Sequence, residues 1–291
     1  MSDHRTRAVI AVLGSAALFG TTGTVLVGAP DAADAVSVGT LRLLIGAATL
    51  AVIARWRHRG GATLPRPGST AIGAAGVAIF QLGYFLAVER TGVAVGTVVT
   101  IGSGPLIGGV LHALGARQRP SPRWLAGTAT SVAGVVALGL AGRDVAVDPA
   151  GIALAVAAGA GWATFATVGR HEIDRGVEST LALAAVFAGG ALILTPLLVD
   201  RPLGWVTTAP GATAVAYLGV VTVGVAYWLY GLALRSLTAP VVITLTLLEP
   251  ITAAVLGHVV VGEQVTLAGW IGIAAVLGGL LLAASRAADQ G

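Results

Sequence analysis

Ten apolar runs, each about as long as a bilayer is thick, leave few folds open to this sequence. They cover residues 8–27, 35–54, 70–88, 93–114, 124–141, 151–169, 179–199, 209–234, 239–261 and 266–284. A helix needs about 20 apolar residues to cross hydrocarbon. In lipid every backbone N–H and C=O must be bonded inside the protein, which leaves helices or closed barrels. Barrel strands are about 9–11 residues long and alternate apolar with polar side chains. These runs are longer and do not alternate, so they predict helices. The expected fold class is an all-α membrane protein of ten transmembrane helices. Only 10% of the 291 residues are charged, against about a quarter in soluble domains. The loops are too short to hold a soluble domain, so any function must reside among the helices. The first run follows Arg5 and Arg7, as in a signal peptide. It is longer than a signal h-region and nine further runs follow, so a retained helix is expected.

Missing residue types exclude several chemistries. The chain has no Cys, and all 17 of its basic residues are Arg. Disulfides, thiolate metal sites, a P-loop lysine and a lysine Schiff base are thereby removed. No cofactor and no metal site are expected. An intramembrane serine hydrolase using Ser103 with His112 or His258 is the enzymatic alternative, and a non-transport membrane scaffold is another. A rhomboid-like Gly-x-Ser-Gly would need Gly two places before Ser103, where Ile101 stands. His171-Glu172 lacks the second His of a zinc-protease helix. The reading is therefore that the chain is not an enzyme.

Arginine placement sets the expected orientation. With a cytoplasmic N-terminus, outside loops hold only Arg90, Arg143 and Arg201, Arg42 lies within the second run, and the other thirteen arginines face the cytoplasm. That is the positive-inside bias. Both termini are expected in the cytoplasm of a multi-pass cell-membrane protein. The net charge of +4 then reflects contact with the anionic leaflet, and no nucleic-acid partner is needed to explain it. The partners expected are the lipid bilayer and a small-molecule substrate, with a second copy of the chain as a candidate homodimer mate.

The chain divides at a short polar stretch, 142–149, into two halves of five runs, 8–141 and 150–284. An offset of 145 places Pro250 on Pro105, Arg235 on Arg90, Gly272 on Gly127 and Gly279 on Gly134. Because five is odd, the second half enters the membrane from the opposite side. Such inverted repeats are a common plan of secondary transporters, whose halves exchange conformations around a central site.

The stretch from Ala226-Tyr227-Trp228-Leu229-Tyr230 to Leu248-Glu249-Pro250, followed by Gly262-Glu263 and the run from Gly269 to Gly279, resembles the second half of an EamA domain. Phe19 through Arg42 to Gly134 is similar to a more diverged first copy. The first copy has Gly104-Pro105 in place of Glu249-Pro250 and Arg117-Gln118 in place of Gly262-Glu263. The resemblance covers nearly the whole chain and is to the drug/metabolite transporter superfamily. It implies two five-helix units and ATP-independent transport of small metabolites, often amino acids. It also places spans one, three, four, six, eight and nine around a central cavity.

Polar residues inside the runs are the candidate site. A charge at the bilayer centre costs roughly 2.5–3.5 kcal/mol on insertion scales, so Glu249 needs a partner, a proton or water. It fits a cavity carboxylate that binds a cationic group or carries a coupling proton. It equally fits a structural group bonded to backbone freed by Pro250. Arg42 falls at a similar depth and fits a bridge to Glu249, a site for a substrate carboxylate, or snorkelling to the outer interface. Pro105 and Pro250 free the carbonyls of Ile101 and Thr246, which must face protein or a watery cavity. Ser103 beside Pro105 joins that wall. Gln81, Tyr84, Trp162, Thr164, Tyr227 and Tyr230 mix ring faces with hydrogen-bonding groups suited to an amine or apolar substrate. Lipid-facing or interfacial roles are the alternative for each ring. His112 and His258 end the two Pro-bearing runs, as titrating gates or as interfacial groups. A drug pump of the small-multidrug type would want a Glu in the first run, which has none.

Overall fold

The computed structural model describes residues 3–57, 63–116, 120–140, 148–262, 264 and 266–285. Among these residues all regular structure is helical. Among the described residues, nine helices are long and apolar enough to span a bilayer: α1 (His4–Val27), α2 (Ala35–Arg57), α3 (Pro67–Gly92), α4 (Val95–Gly115), α5 (Pro122–Leu140), α6 (Pro149–Asp174), α7 (Ser179–Leu198), α8 (Ala209–Leu234) and α9 (Ala239–Val260). A further helix, α10 (Leu267–Ser285), carries a shorter apolar stretch, Leu267–Ala283. Arg117, Gln118, Arg143 and Glu263 lie outside the described residues.

Short polar signals start and stop these helices. Asp148 caps α6 by accepting the Ala150 N–H, with Pro149 in the first turn. Glu178 caps α7 through the Leu181 N–H, and Thr208 caps α8 through the Gly211 N–H. Each cap satisfies donors that a helix start leaves open, and its loss costs about 1 kcal/mol. Gly92, at φ 79° and ψ 161°, breaks α3 from α4, a backbone geometry that side chains disfavour.

Two helices are irregular where the sequence predicted simple spans. α8 widens into a π-helix over Leu218–Val225. α9 tightens to a 3-10 turn over Thr246–Leu248 and widens again over Gly257–Val261. The tight turn answers the proline. Pro250 lacks the N–H that Thr246 would use in an α-helix, and the Glu249 N–H bonds the Thr246 carbonyl instead. The freed carbonyl thus finds a partner within its own helix.

The helices pack in exchangeable pairs. α3 and α4 lie on α6, while α8 and α9 lie on α1. α2 packs on α8 and α3 on α7, α2 also meets α7, and α5 pairs with α10. Exchanging α1–α5 for α6–α10 returns the same set. Residue contacts follow the same rule. A Cβ on Gly219 would strike Ile45, and 145 positions away the same crossing brings Gly190 against Ala74. Between α5 and α10, Gly134 meets the Gly272 carbonyl and Gly127 meets the Gly279 carbonyl. At the middle of that crossing Ser131 donates to the Val276 carbonyl at 3.3 Å, between residues 145 apart. Close backbone approach of this kind supplies van der Waals contact where lipid offers no hydrophobic drive.

Candidate functional site

α2 contributes Arg42, α3 Gln81 and Tyr84, α8 Tyr227, and α9 Glu249. The Arg42 Nη2 donates to Gln81 Oε1 at 3.3 Å. Gly39, one turn before Arg42, lies against Phe85 and the Gln81 amide, and there is no room for a Cβ. That contact draws α2 onto α3 and fixes the depth of the guanidinium. Glu249, Tyr84 and Tyr227 all lie within electrostatic range of Arg42. No ion pair closes between Arg42 and Glu249, and Glu249 makes no hydrogen bond to any described residue. The Arg42 Nε and the Gln81 Nε2 are buried donors without an acceptor. Arg42, Tyr84 and Glu249 are each only partly buried as whole residues.

Glu249 owes its position to a crossing of the repeats. Gly20 of α1 sits against the Glu249 carbonyl and Thr252 so tightly that a Cβ would approach within 2.5–2.7 Å. In the first half, Gly104, 145 positions before Glu249, sits against the Trp162 ring of α6. Each Pro-bearing helix therefore rests on the first helix of the other repeat. Pro105 is buried and Pro250 partly buried.

Aromatic rings surround the polar group. Tyr227 lies 4.9 Å from Phe19, 4.2 Å from Phe187 and 5.8 Å from Phe165, centroid to centroid. Phe80 joins Trp162 at 6.2 Å and Tyr84 at 6.4 Å. The Tyr84 hydroxyl meets Thr97 Oγ1 at 3.0 Å. Tyr230 is fully buried behind Tyr227.

The other sequence candidates use their polar groups close to home. Ser103 donates to the Thr100 carbonyl, Thr164 to that of Ala160 and Thr246 to that of Ile243. Trp162 is buried at the α4 crossing. His258 is exposed and meets the edge of Trp270 on α10 at 6.3 Å, away from the polar group. Phe187 and Thr97 are members that sequence reading missed, since one Phe or Thr in an apolar run carries no distinguishing signal.

Glu172 is a second buried carboxylate, and its role is anchoring. It accepts from the Arg66 N–H, the Ser69 hydroxyl and Arg175 Nη1. It thereby ties the start of α3 to the end of α6. No group of three or more His, Cys, Asp or Glu among the described residues is placed to hold a metal.

The EamA-like transporter family matches the sequence twice, over residues 6–140 and 149–285. A Bacillus subtilis (strain 168) protein, described as the uncharacterized transporter YwfM, is 36% identical over 282 residues. The match covers 96% of this chain and 94% of that protein. A solved structure, described only as the crystal structure of a protein, superposes with a TM-score of 0.82 over 96% of each chain. At 21% identity that likeness speaks for the fold alone.

Proposed function

The chain belongs to the EamA-like transporter family, and from that premise we propose that it is a secondary transporter working by alternating access. In this reading all ten helices cross the cell membrane as two inverted units, 8–141 and 150–284, joined by 142–149, with both termini in the cytoplasm. The substrate is a small metabolite of the amino-acid type, with export as one candidate direction. The observation that carries the proposal is the pairing of Arg42 from one repeat with Glu249 from the other. They lie within electrostatic range of each other without closing an ion pair. A guanidinium with a buried unpartnered Nε suits a carboxylate, because charge-assisted bonds are the stronger kind. The Glu249 carboxylate and the faces of Tyr84 and Tyr227 suit an ammonium group. Gln81 holds the guanidinium in place. Such a site rewards a compound bearing both charges, while the surrounding rings exclude water.

A pooled-metabolite flux screen in proteoliposomes tests this. Saturable flux that responds to a gradient is expected, falling on Glu249→Gln. Hydrolysis of a supplied substrate, or conductance that never saturates, would overturn the reading.

A further inference from the structure

A second site lies outside the central polar group. A cavity of about 710 Å³ opens where the end of α2, the α6–α7 turn and the end of α8 meet, lined among others by Trp56, Arg57, Gly176, Glu178, Ser179 and Arg235. We propose that this cavity binds the phosphate headgroup of an anionic phospholipid. The proposal does not depend on transport.

Symmetry between the two faces singles the cavity out. Among the described residues an ion pair joins the repeats at each end of the α2–α7 contact. Asp34 pairs with Arg201 at 3.0 Å, and Glu178 pairs with Arg57 at 3.6 Å. Asp34 and Glu178 are 144 positions apart, as are Arg57 and Arg201. Both acids precede the second helix of their repeat and bond its first N–H groups. The pairs are therefore the same clasp seen twice, but they differ in two respects. The Asp34 clasp closes at hydrogen-bond distance, whereas the Glu178 clasp is looser and borders the cavity.

The charge balance inside the cavity favours an anion. Among the described lining residues, two guanidiniums, Arg57 and Arg235, face one carboxylate. Arg235 makes no ion pair with any described residue. The turn that carries it is fixed, because Arg170 Nη1 donates to the carbonyls of Leu234 and Leu237 at 2.8 and 3.0 Å. Glu178 can release Arg57 without being stranded. Its carboxylate already accepts from the Ser179 and Thr180 hydroxyls and the Leu181 N–H. An entering phosphate thus gains Arg57 and Arg235 while the cap on α7 stays satisfied.

The lipid source follows from position. The cavity sits at the ends of spanning helices, at the face carrying most of the arginines. Trp56 on its rim is 81% exposed, as interfacial tryptophans are. A lipid headgroup arrives there at high local concentration, with its chains remaining in the bilayer.

Native mass spectrometry and thermal shift of the full chain in neutral detergent, with added phosphatidylglycerol, phosphatidylcholine or inorganic phosphate, provide the test. Phosphatidylglycerol should bind and raise the melting temperature, and the other two should not. Arg235→Gln and Arg57→Gln should each weaken phosphatidylglycerol binding about fivefold, the worth of one arginine near an anionic surface. Arg201→Gln, at the matching clasp, should leave it unchanged. Glu178→Gln keeps an acceptor for the cap but frees Arg57, so it should bind more tightly; a merely structural cavity would show no such gain. Equal phosphatidylglycerol binding by wild type and Arg235→Gln, whose exposed side chain has no folding partner to lose, would overturn the site. Competition by inorganic phosphate at similar concentration would overturn the lipid as its occupant.

Discussion

At the scale of single residues, Glu249 is a carboxylate inside a span, near Arg42 but without an ion pair to it. Glu249→Gln keeps shape and hydrogen-bonding capacity but removes charge. The folded variant should lose flux by about tenfold or more, the scale of one charge-assisted contact, with an unchanged melting temperature. A well-folded variant with wild-type flux would move Glu249 to a structural role. Asp34 offers a prediction about pH. Burial opposes its ionisation, but the Ser37 hydroxyl and N–H, Arg201 and the Val36 N–H outweigh this and hold its carboxyl below the usual range. A carboxyl depressed by folding adds stability above its unfolded pKa, and that stability is lost as pH falls through the folded value. Below about pH 4 the wild-type melting temperature should therefore drop more steeply than that of Asp34→Asn, while the wild type is the more stable near neutrality. Glu249 and Arg42 were legible in the sequence because a charge inside an apolar run stands out. The Gln81 contact of Arg42 and the Tyr84–Thr97 bond were not, since they depend on which faces of separate helices turn together.

Among the elements, helix positions were legible and helix faces were not. Length and hydropathy mark a span, but lipid and protein interior are both apolar, so no amphipathic stripe points inward. The irregular turns of α8 and α9 were hidden for a related reason. Only Pro250 announces one of them, and the π-helix at Leu218–Val225 leaves no such mark. Glycines record the crossings more faithfully, and the α5–α10 pair gives a direct test. A side chain on Gly134 would press on the Gly272 carbonyl at 2.6 Å and the Val276 N–H at 2.7 Å, both backbone atoms that cannot step aside. Gly134→Leu should cost about 1–3 kcal/mol, read as a lower melting temperature. Gly278→Leu, beside open space on the partner helix α10, should cost much less. Equal effects would mean that the crossing is not tight.

For the whole molecule, the repeat offset read from Pro105 and Pro250 relates the Ile45–Gly219 contact to the Ala74–Gly190 contact and recurs within the Ser131–Val276 bond, because a relation between halves is written in residue spacing. The cavity beside Trp56 was not legible, since it forms from three separated segments. The proposed orientation is open to labelling in this Cys-free chain. Cysteine at Asp31 should react with an impermeant reagent from outside intact cells, and cysteine at Ser121 only after the inner face is exposed; the reverse pattern would invert the topology. The central claim, that one site is presented alternately to the two faces, is tested most directly by counterflow. Proteoliposomes loaded with unlabelled substrate and diluted into labelled substrate should accumulate label above its equilibrium level before it declines. A smooth approach to equilibrium without that overshoot, at the same total flux, would describe a channel and contradict the account.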